Sequence, residues 1–170
     1  MIGWRLIKSR FAEDPLSTAG AIGSGGRWNL PGTPLLYCSE HLSLAALEIL
    51  VHLAPDSRHV SFLALEITIP DDALITVWEL SELPSGWRSV TGNATCKERG
   101  SAWASSRARL VLSVPSAIVP KERNLLVNGL HPAFLHVRVK SAAAFAFDPR
   151  LIASSKAPSK RSGTRPPSRQ

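Results

Sequence analysis

Residues 35–53, LLYCSEHLSLAALEILVHL, confine the fold more than any other part of the chain, because a short apolar strand there runs directly into an apolar helix. At about 100° per residue, Leu42, Ala46, Ile49, Leu50 and Leu53 gather on one helix face, and Leu44 and Leu47 carry apolar character round to the other. The helix is expected to be buried nearly all round, with Ser39 as its cap. One carboxylate, Glu48, stands within it, and His52, one turn on, is its local polar neighbour. Desolvating a lone carboxylate costs on the order of several kcal/mol, so Glu48 must be paired, hydrogen-bonded or protonated, unless it lies at a helix edge and reaches water. Tyr37, the only tyrosine, lies in the preceding strand, where an aromatic ring serves either the core or a ligand.

A chain of 170 residues with 44% hydrophobic and 19% charged content matches one globular domain with a real core. No apolar run is long enough to span a membrane. The opening MIGWRLIKSRF lacks the apolar core and cleavage site of a secretory signal, so a cytoplasmic location is expected. Cys38 and Cys96 are too few for a disulfide framework and show no metal-ligand spacing, so they are read as buried or incidental thiols and no metal is expected. The net charge of +7 raises nucleic acid as a partner, but Lys156, Lys160, Arg161, Arg165 and Arg169 all lie beyond residue 153, and removing those five leaves +2 on residues 1–153. We therefore divide the chain into a domain over 1–153 and a basic tail over 154–170. The tail, which has no acid and cannot offset its ordering entropy by burial, is expected to be disordered and to touch nucleic acid only weakly.

Ahead of the central stretch, residues 3–7 read as an opening strand with Trp4 and Leu6 on one side. Residues 19–34, AGAIGSGGRWNLPGTP, then form a turn-rich loop that matches neither GxGxxG after a strand nor a P-loop. At its end Arg27 has the fork to grip a phosphate or carboxylate, and Trp28 the area to cover an aromatic ring, although an arginine there is as readily paired with a surface acid. Farther on, residues 60–69 alternate as a central strand, and residues 75–80 follow as another after a turn at Asp71 and Asp72. Residues 81–100 read as an irregular or short helical link and 103–109 as a brief helix. Strands are expected at 110–114, 125–128 and 134–140, with a last element at 143–147. Pro115 and Pro120 bracket Ser116 and make that piece an edge or a bend. The sum is an α+β domain: a bent, mostly antiparallel sheet with two to three helices.

The segments GGRWN (25–29), LYCSE (36–40), ALE (46–48) and VPSAIVPKERNLLVNGLHPAF (114–134) resemble, in order and spacing, the RES domain, the toxin of bacterial Xre–RES toxin–antitoxin pairs. The family's arginine, glutamate and serine fall on Arg27, Glu48 and Ser116, its tyrosine on Tyr37 and its asparagine on Asn128. Where the family shows proline after that asparagine this chain has Gly129, which implies a looser turn. The resemblance implies an ADP-ribosyltransferase-like fold acting on NAD+ without a tightly bound cofactor, with inorganic phosphate as a candidate co-substrate. It also implies an Xre-type helix-turn-helix antitoxin as partner, and a homodimer or larger complex.

Breaking the nicotinamide–ribose bond passes through an oxocarbenium-like state. Glu48 would stabilise that cation or orient the acceptor, Arg27 would hold the pyrophosphate, and Tyr37 would stack on nicotinamide. Ser116 and Asn128 would bind ribose hydroxyls or the carboxamide, His52 would support Glu48, and Ser39 is a further candidate for support of the site. Phosphorolysis, hydrolysis and ADP-ribosyl transfer to a protein remain open, since all share that step. Ser116 lacks a GxSxG turn and triad partners, which excludes a serine hydrolase. A different class, a nucleic-acid-binding or regulatory module working through the tail, predicts steep salt dependence. An inactive scaffold for the antitoxin would not need Arg27, Tyr37, Glu48 and Ser116 intact.

Overall fold

The structure is a computed structural model and describes residues 1–53, 60–71 and 75–152. The expected tail, and Asp72 of the expected turn, lie outside the described residues. The strands are β1 (Ile2–Lys8), β2 (Leu35–Ser39), β3 (Phe62–Thr68), β4 (Ile75–Val77), β5 (Val111–Pro115), β6 (Arg123–Asn128) and β7 (Arg138–Phe145). The helices are α1 (Ala19–Ser24), α2 (Leu42–Leu50), α3 (Ala94–Ser106) and α4 (Pro149–Ile152). Among the described residues no helix is long and apolar enough to cross a membrane.

All seven strands join one open sheet in the order β4-β5-β6-β2-β1-β3-β7, antiparallel everywhere but between β4 and β5. The expected α+β class with a mostly antiparallel sheet is what forms. The ladders are unequal. β1 pairs with β3 along its whole length, from Ile2↔Thr68 to Lys8↔Phe62, and β2 pairs with β6 from Leu35↔Asn128 to Ser39↔Asn124. Between β1 and β2 the register holds at the single pair Trp4↔Ser39. The sheet is thus two halves that meet at one rung. Arg5 bridges the gap from β1, its Nη1 donating to the Tyr37 carbonyl at 3.4 Å and its Nη2 to the Ser17 carbonyl at 3.1 Å.

Strand periodicity sends alternate residues to opposite faces. On one face Ile7, Leu36, Leu65, Ile67, Leu125 and Val127 form a continuous core across both halves. On the other face the apolar residues split into two clusters. Leu6, Phe62 and Ala64 pack with Ala45 of α2, while Leu35, Leu112 and Leu126 pack with Trp28 and with Cys96 and Ala104 of α3. The two helices therefore stand on separate halves of the sheet, with a gap over the rung.

Several expectations need correction. Among the described residues there are four helices, not two to three: α1 forms inside the stretch read as a turn-rich loop, and α3 joins the expected link to the brief helix expected at 103–109. β3 is the penultimate strand; β2 is central. β4 stops at Val77, and a 3-10 turn follows over Leu80–Glu82. The strand placed at 134–140 and the element at 143–147 are one edge strand, β7, preceded by a 3-10 turn over Pro132–His136. After β7 the chain makes one further helical turn, α4. In α2 only Leu44 and Ala45 are fully buried, so the helix is not enclosed all round. Ser39 does not cap it; His41 is the N-cap residue and makes no side-chain cap bond.

Candidate active site

A cleft of about 970 Å³ opens where the two halves of the sheet part, and Arg27, Tyr37, Glu48, Ser39, His52 and Asn124 all reach its lining. Glu48 projects from the half-buried flank of α2. Its Oε1 accepts two hydrogen bonds, from Asn124 Nδ2 at 2.6 Å and from Ser116 Oγ at 2.9 Å. Its Oε2 has no hydrogen-bond donor among the described residues, so one oxygen anchors the carboxylate and the other is left for the cleft.

The anchors are themselves held. Ser116 is fully buried just after β5, and its Oγ accepts from the Ile118 and Val119 N–H groups at 3.0 and 3.1 Å. With both lone pairs engaged, its proton is committed to Glu48. Asn124 sits on β6 opposite Ser39, whose Oγ donates to Asn124 Oδ1 at 2.6 Å. That bond fixes the amide so that its NH₂ faces Glu48. Such satisfied buried networks lock geometry more tightly than their separate bonds imply.

Tyr37 projects from β2 toward the same cleft. Its hydroxyl donates to Asn29 Oδ1 at 2.7 Å and accepts from the Trp28 N–H at 3.3 Å. Burial pushes the phenol well above its ordinary pKa and the Glu48 charge adds to that, while the Trp28 hydrogen bond and the Arg27 charge oppose it. It stays a protonated donor. Gly26 is required beside it, since a Cβ there would stand 2.5 Å from the hydroxyl oxygen. Arg27 follows in the loop, its Nη1 donating to the carbonyls of Trp87 and Ser89 at 2.7 and 2.9 Å. It forms no ion pair with Glu48; the two charges act from different sides of the cleft.

Not every expected residue arrives. Asn128 is fully buried under α3, its Nδ2 donating to the Ala104 carbonyl at 2.8 Å and its Oδ1 accepting from the Leu130 N–H at 2.9 Å. It is no substrate ligand here. At about 3.3 Å per residue it lies some 13 Å along the strand from Asn124, the residue the sequence reading missed. The available signal was a second asparagine on the same face of an otherwise apolar strand. Ser116 supports Glu48 from behind instead of lining the cleft. Trp28 turns its ring into the core between Trp78 and Trp87, with centroids 5.9 Å away on both sides, and is not free to cover a ligand. His52 is exposed beyond the end of α2 and makes no hydrogen bond to Glu48. Gly129 does not loosen its turn: its N–H, which proline would lack, donates to the Pro34 carbonyl at 2.9 Å. Both cysteines are buried and free, and burial pushes the Cys38 thiol up to about 12, far from reactive.

Comparison with known proteins agrees with this architecture. The RES domain pattern matches residues 2–148. The chain is 36% identical over 153 residues to the Prs ADP-ribosylating toxin of Sphingobium sp. (strain YBL2), covering 88% of this chain and 95% of that protein. It is also 36% identical over 157 residues to Toxin Res of Photorhabdus laumondii, covering 92% of this chain and 100% of the relative. Among solved structures, the M. tuberculosis MbcT-MbcA toxin-antitoxin complex contains a chain of the same fold, with a TM-score of 0.70 at 18% identity over 89% of this chain and 86% of that one. Sequence pattern, near full-length relatives and a shared sheet architecture converge: the chain belongs to the RES domain family.

Proposed function

We propose that this chain is an enzyme and a toxin that breaks the nicotinamide–ribose bond of NAD+. The observation that carries this reading is the one-sided anchoring of Glu48: Oε1 is tied to Ser116 and Asn124, and Oε2 is left toward a cleft shared with Tyr37 and Arg27. As the bond stretches, positive charge builds on the ribose and nicotinamide departs neutral. A carboxylate already fixed in place stabilises that cation with little reorganisation, and more strongly in a water-poor cleft than in bulk. Tyr37 stacks on the nicotinamide ring and Arg27 takes the pyrophosphate. Water as acceptor gives ADP-ribose and a proton; phosphate gives ADP-ribose-1″-phosphate. The chemistry asks for no resident cofactor. The relatives named as toxins, and the fold shared with a chain from a toxin–antitoxin complex, support an antitoxin as partner, which we take to be of the helix-turn-helix Xre type, acting in the cytoplasm on a homodimer or larger assembly.

A second reading, transfer of ADP-ribose to a protein, is favoured by the name of the Sphingobium relative. One experiment separates the branches: purified protein is incubated with NAD+, with and without phosphate, and the products are identified. ADP-ribose-1″-phosphate, free ADP-ribose or a labelled protein each selects one acceptor. NAD+ left intact under every condition overturns the proposal.

A further inference from the structure

The cleft carries more positive charge than a pyrophosphate needs. Arg5, Arg27, Arg88 and Lys97 line it, against Glu48 as the sole carboxylate of the lining among the described residues. Three of these cations are already bound to carbonyls: Arg5 to Ser17 and Tyr37, Arg27 to Trp87 and Ser89, and Arg88 through Nε to Ala117 at 2.9 Å. Lys97 differs. It is half-buried on α3, and its Nζ makes no hydrogen bond or ion pair among the described residues. Its stem packs against the protein while its ammonium is left without a protein partner at the cleft wall, where it can take an anion.

Its position selects the anion. Arg27 holds the Trp87 and Ser89 carbonyls, and Ser89 is in turn hydrogen-bonded to Gly92, its Oγ donating to the Gly92 carbonyl and its carbonyl accepting from the Gly92 N–H. Lys97 also lies against Gly92, where an added Cβ would meet its Cε at 3.1 Å. Contacts thus run from Glu48 through Ser116, Ala117 and Arg88 to Ser89 and Arg27, and on through Gly92 to Lys97. With the scissile bond at Glu48 and the pyrophosphate on Arg27, the next part of the dinucleotide is the adenosine ribose. Arg88, between the two residues whose carbonyls Arg27 holds, reaches the Ala117 carbonyl beside Ser116 and so lies on the Glu48 side of Arg27.

We infer that the cleft accepts the 2′-phosphorylated dinucleotide NADP+, with Lys97 pairing with the 2′-phosphate. The inference rests on the bond-breaking reading above for its substrate, but not for its binding test. In turnover, wild type consumes NADP+ at least as efficiently as NAD+, and Lys97→Gln lowers the NADP+/NAD+ ratio of kcat/KM about tenfold, the size expected for one charge-assisted bond. A wild type that uses NAD+ but not NADP+, or a ratio unmoved by Lys97→Gln in a protein whose melting temperature matches wild type, overturns it. So does an acceleration of NAD+ loss by inorganic phosphate that vanishes in Lys97→Gln, because that places an acceptor phosphate on the lysine. Titration with adenosine 2′,5′-bisphosphate against 5′-AMP reads the subsite without catalysis. Tighter binding of the bisphosphate that Lys97→Gln abolishes upholds the subsite even where no dinucleotide is cleaved, and equal binding of the two sinks it.

Discussion

The two sides of the cleft hold their charged residues by different means. On the α2 side, Glu48 is fixed by side chains from two strands, Ser116 after β5 and Asn124 on β6, each pinned by a further hydrogen bond. On the other side, Arg27 leans on backbone carbonyls of the segment that carries Trp87 and Ser89, a stretch of turns between two helical elements. A carboxylate that must meet a short-lived cation needs a fixed position, since a misplacement of about 1 Å can cost on the order of 10²-fold. A guanidinium that grips a flexible pyrophosphate tolerates adjustment. The difference teaches that this site is rigid where charge develops and compliant where substrate is held.

The contrast can be tested from its strongest point downward. Glu48→Gln keeps the shape and removes the charge, so kcat for NAD+ loss should fall about 10³-fold with KM little changed; an equal rise in KM would show that Glu48 works by binding. Asn124→Ala leaves the charge but frees the carboxylate, and kcat should drop about 30-fold, within the range for losing one preorganising contact. Combined with Ser116→Ala, the loss should be less than the product of the two, because both hold the same oxygen. Strict multiplicativity, measured by steady-state kinetics, would show two independent roles. Arg27→Ala, on the compliant side, should raise KM about tenfold with kcat nearly unchanged. A kcat loss as large as that of Asn124→Ala would erase the proposed division between the two sides.

How much of this could be read from residue order depended on where the packing surface came from. β1, β2, α2, β5 and β6 announce themselves because large aliphatic residues recur at the period of the element, and Glu48 stood out as polar among them. α3 shows only at its C-terminal end, because its buried face is Cys96, Gly100 and Ala104, small residues four apart that give almost no apolar stripe. They are small for a reason: a Cβ on Gly100 would stand 1.8 Å from the Trp28 carbonyl oxygen, so the helix packs directly on the loop that carries Arg27. β7 reads as two elements because exposed Ser141 and Ala142, without a large apolar side chain, fall between them on this edge strand. In the site, Arg27, Tyr37, Glu48 and Ser116 were found by motif, whereas Asn124 depended on the β2–β6 register that sets it across from Ser39.

The lone pairing of Trp4 with Ser39 gives the two half-sheets something like the spine of a book. Turning the covers about that spine would widen or narrow the groove while the long ladders on either page stay paired, with the core shared by both halves as the resistance to it. Ser39 belongs both to the spine and to the chain of contacts that steadies Glu48, so any such rotation would be felt at the carboxylate first.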